Sequence, residues 1–218
     1  MTTFPIRSFP PLDVKWSLRG VTNGGDTSIG GLNRVGRTDG GGYWMCTMSG
    51  IWLHETAQIK YFRVMEGLMN GGASPIVVPA LEAAFANWPG GVVPSNPFTP
   101  GVINMTVNDD AALRSPSLNI KVTDGDPLAG GERVSITHAT LGVRLYTIVA
   151  AGTPDGDGVQ FCAISPPLRE ATDADTAVDA QNPGCVVRLI NPEDTFDALN
   201  QSRTANVTLQ FQECFDVT

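Results

Sequence analysis

The residue types that carry most acid–base catalysis are scarce in this sequence. It contains only two histidines, His54 and His138. His138 falls between two predicted strands and is expected in a loop, whereas His54 directly precedes a predicted helix and is placed to help satisfy its free amides. There is no GxSxG nucleophile elbow and no Gly-Lys-Ser or Gly-Lys-Thr phosphate loop. We therefore predict no catalytic and no cofactor-binding residues, and a protein that is not an enzyme.

Residues that bind metals in other proteins are present, but their spacing does not favour a metal site. None of the four cysteines (Cys46, Cys162, Cys185 and Cys214) forms a CxxC or CxH pair. Three of them lie in apolar or alternating runs, where a thiol acts as a small core residue. Convergence of all four from distant strands is the alternative.

The Asp-Gly clusters invite a comparison with calcium-binding loops. Residues 155–158 begin like such a loop, but Val159 stands where a third oxygen ligand belongs and Gln160 where glycine is needed. We interpret this cluster, and the one at residues 124–127, as turns, and predict no metal.

The charge of the chain is negative and unevenly distributed. The net charge is −8. Residues 1–63 hold seven Lys/Arg and four Asp/Glu, a net of +3, and residues 64–218 hold seven and eighteen, a net of −11. Without a basic stripe, nucleic-acid binding is not predicted. The asymmetry is consistent with head-to-tail contacts between copies of the chain; the alternative is that acidic loops keep the surface soluble.

Targeting signals are not evident either. No apolar run approaches the roughly 20 residues that span a bilayer, so no membrane segment is predicted. The first residues lack the apolar stretch of a signal peptide, so we expect the chain to be made and folded in the cytoplasm with reduced thiols.

The many turn-forming residues, 24 Gly and 16 Pro in 218, favour short strands over long helices. The clearest pattern lies in residues 118–168, where four runs alternate apolar and polar residues between Asp-Gly turns. Alternation with period two places one set of side chains on a buried sheet face. This stretch is predicted to form a small antiparallel barrel or meander.

One helix is predicted, over residues 55–70. Its apolar residues cluster on one side, with Lys60 and Arg63 opposite, and Gly71 and Gly72 follow its end. The apolar side consists of Ile59, Tyr61, Phe62, Met65, Leu68 and Met69. We expect it to pack on a sheet; a partner groove is the alternative.

The longest alternating run, residues 206–215, places Val207, Leu209, Phe211 and Glu213 on one face. A strand this regular should pair with an N-terminal strand, because an unpaired one would be an aggregation hazard. The predicted fold is therefore mainly β: a β-sandwich scaffold (16–101 and 180–218) with one amphipathic helix near 55–70 and an inserted small antiparallel β-barrel or meander (102–179) that ends in an acidic loop. An extended N-terminal arm (1–15) precedes it.

Seven segments spread over residues 15–190 resemble, in order and spacing, the distal tail or baseplate proteins of long-tailed, non-contractile bacteriophages. They are residues 15–18 (KWSL), 41–48 (GGYWMCTM), 111–120 (AALRSPSLNI), 128–136 (LAGGERVSI), 143–148 (VRLYTI), 165–169 (SPPLR) and 185–189 (CVVRL). Residues 81–101 match nothing in that family.

The resemblance implies a structural virion protein of the phage tail. Such proteins form a ring, commonly a homohexamer, that connects the tail tube protein to the tail hub or tip proteins. It implies no catalytic residues, and residues 1–15 become a candidate inter-subunit arm. The alternative function is a peripheral baseplate module that binds host-surface carbohydrate, with an exposed tryptophan among Trp16, Trp44, Trp52 and Trp88 as the stacking platform.

Overall fold

The computed structural model describes residues 1–27, 33–38, 40–80, 103–194 and 204–216. Within these ranges the chain is mainly β, as predicted, with one α-helix, α1 (Thr56–Met69). The strands, in chain order, are β1 (Asp13–Arg19), β2 (Thr22–Thr27), β3 (Asn33–Arg37), β4 (Tyr43–Leu53), β5 (Ile76–Pro79), β6 (Asn104–Val107), β7 (Ser117–Asp124), β8 (Arg133–His138), β9 (Gly142–Ala151), β10 (Val159–Ser165), β11 (Ala177–Asp179), β12 (Gly184–Leu189) and β13 (Ala205–Glu213).

The chain divides into two compact units. The sheet unit is built from the described residues of 1–17, 44–81 and 184–218, and the barrel unit from those of 18–43 and 82–183. The sequence assigns residues 18–43 to the scaffold, but those of them that the structure describes belong with the barrel unit. Hydrogen bonds join this segment to the rest of the barrel unit: the Arg169 guanidinium donates to the carbonyls of Gly40 and Gly42.

The sheet unit contains a five-stranded sheet in the order β1-β4-β13-β12-β5. β13 is central and antiparallel to both neighbours. Its buried residues are the predicted set, Val207, Leu209, Phe211 and Glu213, together with Ala205, and they alternate with half-exposed or exposed polar residues. Among the described residues, α1 and the N-terminal segment pack on the buried face, where the sequence predicts the second sheet of a sandwich.

Residues 1–15 do not extend away from the fold as the sequence predicts. Phe4 and Phe9 are 1% and 0% exposed. Phe4 packs edge-on against Phe211 of the sheet, and Phe9 packs in the same way against Phe62 of α1. Isolated aromatic residues between prolines show no periodicity, so their burial leaves no local signal in the sequence.

The same N-terminal segment covers an edge of the sheet. β5, which has prolines at and just before its ends, is the last strand in the sheet order, and prolines are typical of such edge strands. The Phe4 N–H donates to the Val77 carbonyl at 2.8 Å, and the Val77 N–H donates to the Thr2 carbonyl at 2.9 Å. These bonds satisfy backbone groups that would otherwise form an open edge.

Helix α1 confirms the predicted helix and its end. Glu55 is the N-cap and forms a reciprocal capping box with Gln58, while Asn70 ends the helix in the left-handed conformation. Its buried residues are Phe62, Met65 and Met69. The apolar side is narrower than predicted, because Tyr61 and Leu68 remain 42% and 48% exposed.

The barrel unit confirms the predicted small barrel. Its six antiparallel strands close in the order β10-β7-β6-β11-β8-β9. Inward residues from these strands form one core: Met105, Val107, Leu118, Ile120, Val134, Ile136, Tyr146, Ile148, Cys162, Ile164 and Val178, with Leu128, Leu168 and Ala180 from the connecting segments.

The acidic loop predicted for residues 170–183 contains a strand that the sequence does not reveal. β11 pairs with β6 and β8 and so closes the barrel. It is three residues long and points one apolar side chain, Val178, inward, at 4% exposure. A strand this short cannot show a period of two, so its pairing is decided by tertiary structure alone.

Candidate functional site

The two histidines lie in unrelated surroundings. His54 is exposed beside Glu55, its Nε2 3.8 Å from the carboxylate. His138, in contrast, is 4% exposed and lies at the end of β8, where the sequence predicts a loop. Amides at the start of α1 are satisfied by Glu55 and Gln58, and the structure assigns no such role to the His54 side chain.

The cysteines and the Asp-Gly turns have structural roles. All four cysteines are buried and none forms a disulfide bond, and among the described residues no three His, Cys, Asp or Glu side chains are grouped to hold a metal. Burial, together with the nearby Glu132 charge, raises the pKa of Cys162 to about 12, so this thiol stays protonated. The Asp155 Oδ1 accepts the N–H groups of Asp157 and Val159, which is turn chemistry.

Two of the three tryptophans that the structure describes are core residues. Trp16 and Trp44 are buried and pack edge-to-face, with ring centroids 6.3 Å apart. Trp52 is 52% exposed on β4, and Trp88 lies outside the described residues.

A buried polar cluster surrounds Tyr146 inside the barrel unit. Its hydroxyl lies 2.7 Å from His138 Nε2 and accepts the Arg169 N–H at 3.0 Å. The fully buried Arg144 donates to the Leu141 carbonyl at 2.6 Å, and Glu170 accepts the Leu141 N–H at 2.9 Å. The bonds of Arg169 and Glu170 tie the segment after β10 to the β8–β9 hairpin, so the cluster stabilises the fold.

Protonation of His138 is opposed by its surroundings. Burial lowers its pKa from 6.5 to about 4; the Glu170 charge acts in the opposite direction, and the Arg144 charge lowers the pKa further. For Glu170, partial burial alone would raise the pKa. Hydrogen bonds from Leu141 and Thr140 and the charge of His138 outweigh it, and the net pKa lies below its ordinary value.

We expect the barrel unit to lose stability between pH 6.5 and pH 4. The unfolded chain protonates His138 near pH 6.5, whereas the folded chain resists until about pH 4, so folding is favoured fully above pH 6.5 and progressively less below it. The loss through this group is about 2–3 kcal/mol. Urea denaturation at several pH values, with hydrogen exchange of residues 133–148, measures it. His138→Gln should flatten the pH dependence and His54→Gln should not; equal slopes in both variants would contradict the assignment.

A shallow groove of about 200 Å³ lies on the outside of the barrel. Phe161 on β10 and Asn119 on β7 are direct neighbours across the strands, and Phe161 is 57% exposed. The Asn119 amide donates to Asp109 at 2.9 Å, and Asn108 donates to the other oxygen at 3.0 Å. These bonds lower the pKa of Asp109 and keep it an ionised acceptor.

A second surface feature lies on α1. Tyr61, Val64 and Leu68, which we name the α1 stripe, are 42%, 55% and 48% exposed. Their spacing of three and four residues places them in one row along the helix. Lys60, which is also exposed, borders this row at Val64, four residues further on, and the exposed Arg63 lies beside Lys60 on the side away from the row. The apolar pattern predicts Tyr61 and Leu68 in the core, but the apolar face of the helix is wider than one packing surface buries, and these two residues stay exposed.

A scan against protein-family models finds no matching family, and a search of curated proteins finds no matching sequence. Among the described residues, no helix is long and apolar enough to cross a membrane.

Proposed function

We propose that this chain is a structural virion protein of a long-tailed bacteriophage, a ring-forming distal tail or baseplate subunit that connects the tail tube protein to the tail hub or tip proteins. The ring is expected to be a homohexamer. In this proposal the protein has no catalytic activity and no cofactor, is assembled in the cytoplasm of the bacterial host and resides in the virion tail.

The proposal draws on the segments that carry the family resemblance. All seven overlap strands: one lies in β1, one largely in β4, one reaches β7, one each covers parts of β8 and β9, one begins at the last residue of β10, and one falls in β12. They therefore build the frameworks of both units. A resemblance carried largely by framework positions supports a shared fold more than a shared active site.

The observation that carries the assembly part of the proposal is the α1 stripe. Three large apolar side chains in one row on an exposed helix face are typical of a surface that another protein covers. The neighbouring Lys60 and Arg63 add a positive patch to a chain whose net charge is −8. A ring requires such a surface on every subunit, complementary to a different surface on the next one.

Mass measurement of the purified chain tests the proposal. Light scattering over a concentration series should reveal a closed oligomer, and Val64→Asp should shift it toward monomer because a carboxylate would be buried in the contact. Val35→Asp, at a residue 60% exposed on the β2–β3 hairpin, is the matched control and should not change the mass. A wild-type chain that stays monomeric at every concentration, including with added tail tube protein, would contradict the proposal.

The second candidate function, a baseplate module that binds host-surface carbohydrate, is favoured by the groove at Phe161. An exposed ring beside the acceptor Asp109 and the amide of Asn119 offers one stacking face and polar groups for sugar hydroxyls. A glycan screen decides it: specific binding that is lost in Phe161→Ala or in Trp52→Ala supports the carbohydrate function, and no binding to any glycan opposes it.

A further inference from the structure

The length of the α1 stripe and the charge of the residues beside it restrict which protein surface can pack on it. Tyr61 and Leu68 are seven residues apart on a helix, which separates them by about 10 Å along its axis. The exposed Lys60 and Arg63 lie on one side of the row, and with Glu66 one turn after Arg63 that side keeps a net charge of about +1. A matching surface therefore needs an apolar strip of about 10 Å with acidic groups beside it.

The β9–β10 hairpin has these properties. Val149 is 61% exposed, Ala150 is exposed, and Phe161 is 57% exposed. Because the Gly152 N–H donates to the Phe161 carbonyl, Phe161 lies beside Gly152, three residues from Val149. Three residues of strand span about 10 Å, so the apolar strip on the hairpin matches the α1 stripe in length.

Acidic groups crowd the tip of the same hairpin. Asp155 and Asp157 are exposed in its turn, and Asp124 is exposed at the end of the neighbouring β7. Lys121, which pairs with Val159 across β7 and β10, is the cation among them and offsets one of these charges. The tip therefore keeps a net charge of about −2, opposite in sign to the charged side of the α1 stripe.

We propose that the outer face of the β9–β10 hairpin of one copy docks on the α1 stripe of the next. This inference rests on the proposed ring function and names the two surfaces that meet. Val149 and Phe161 pack against Val64 and its neighbours, while Asp155 and Asp157 face Lys60 and Arg63 of the other copy.

Charge also argues against the two symmetric arrangements. Two α1 stripes packed on each other would bring four cations together, and two hairpin tips would bring four or more carboxylates together. A contact between unlike surfaces is head-to-tail, and it closes into a ring when the rotation between copies permits.

A charge-reversal experiment tests this pairing. The helix-reversed variant carries Lys60→Glu and Arg63→Glu, and the hairpin-reversed variant carries Asp155→Lys and Asp157→Lys. We expect each alone to weaken self-association at least tenfold, because like charges then face each other. A 1:1 mixture of the two variants, and a single chain with all four substitutions, should regain the wild-type mass. Lys15→Glu with Arg19→Glu, on the exposed side of β1, makes the same change in net charge and serves as control.

Light scattering on these chains tests separately the α1 stripe as a contact, the hairpin as its partner, and the ring function. A wild-type mass in the helix-reversed variant would show that the α1 stripe is not the contact, and the ring function would survive. Loss of assembly without recovery in the mixture or in the four-fold variant would show that another partner surface, and not the hairpin, occupies the stripe. A wild-type chain that is monomeric under all conditions would contradict the proposed ring-forming function.

Discussion

Replacing Phe9 by alanine is expected to destabilise the sheet unit by about 3–5 kcal/mol, the usual cost of truncating a buried aromatic residue. Phe9 is 0% exposed. Its ring centroid lies 5.9 Å from that of Phe4, 5.2 Å from that of Tyr61 and 5.5 Å from that of Phe62. It therefore links the N-terminal segment to α1, and Phe4 continues the contact to Phe211 of the sheet. The cavity left by alanine would interrupt this row of rings.

Urea denaturation followed by tryptophan fluorescence measures the effect, because Trp16 and Trp44 are both buried in this unit. Leu12→Ala is the control from the same segment: its side chain is 88% exposed, and we expect a change within about 0.5 kcal/mol. If Phe9→Ala were as stable as Leu12→Ala, residues 1–15 would contribute little to the fold of the single chain. The inter-subunit arm predicted from the sequence would then regain support.

Replacing Gly72 by alanine is expected to cost more than about 3 kcal/mol, from backbone strain and steric overlap together. Gly72 adopts a φ of +89°, which side chains disfavour, and a Cβ there would overlap the Leu189 carbonyl oxygen. That oxygen belongs to β12, which pairs with the central β13. Relief of the overlap would require β12 or the turn after α1 to shift.

The neighbouring Gly71 separates the two contributions. It also has a positive φ, +61°, but a Cβ there would meet no atom within 4 Å. Gly71→Ala should therefore cost about 1 kcal/mol, from strain alone. Gly67→Ala, inside α1 with equal space around it, should stabilise the helix by about 0.5–1 kcal/mol. Thermal and urea unfolding of the three variants checks this order, and equal values for Gly71→Ala and Gly72→Ala would contradict the overlap with Leu189.

The parts of the fold that the sequence predicts are those in which a local pattern is long enough to repeat. The runs in β7 and β13 alternate over five or more residues, so their faces can be assigned without tertiary information. In β10 the alternation assigns the wrong face, because the polar Gln160 is 1% exposed and the apolar Phe161 is 57% exposed. Even the inward position of Glu213 follows from the alternation. The structure supplies the reason a carboxylate is tolerated there, since it accepts the Trp44 N–H at 2.9 Å.

The parts that escape prediction depend on contacts between distant residues. β11 is too short to show a period, and residues 18–43 join the barrel unit through the guanidinium of Arg169. The groove is another such case, because Asn119 and Phe161 become neighbours only through the register of β7 and β10. The sequence of α1 contains more apolar residues than one packing surface can bury. Which of them stay exposed as the α1 stripe depends on the face of the helix that packs in the core, and this face is set by tertiary structure.

The central place of β13 in its sheet also has a consequence for biosynthesis. The ribosome makes residues 205–213 after every other described strand, yet these residues separate β4 from β12. Until they are made, the sheet cannot join its two halves, and the facing edges of β4 and β12 lack their native partner. The strands of the barrel end at Asp179, so that unit can complete its pairing while translation continues. The two units should therefore mature in sequence, with the barrel first.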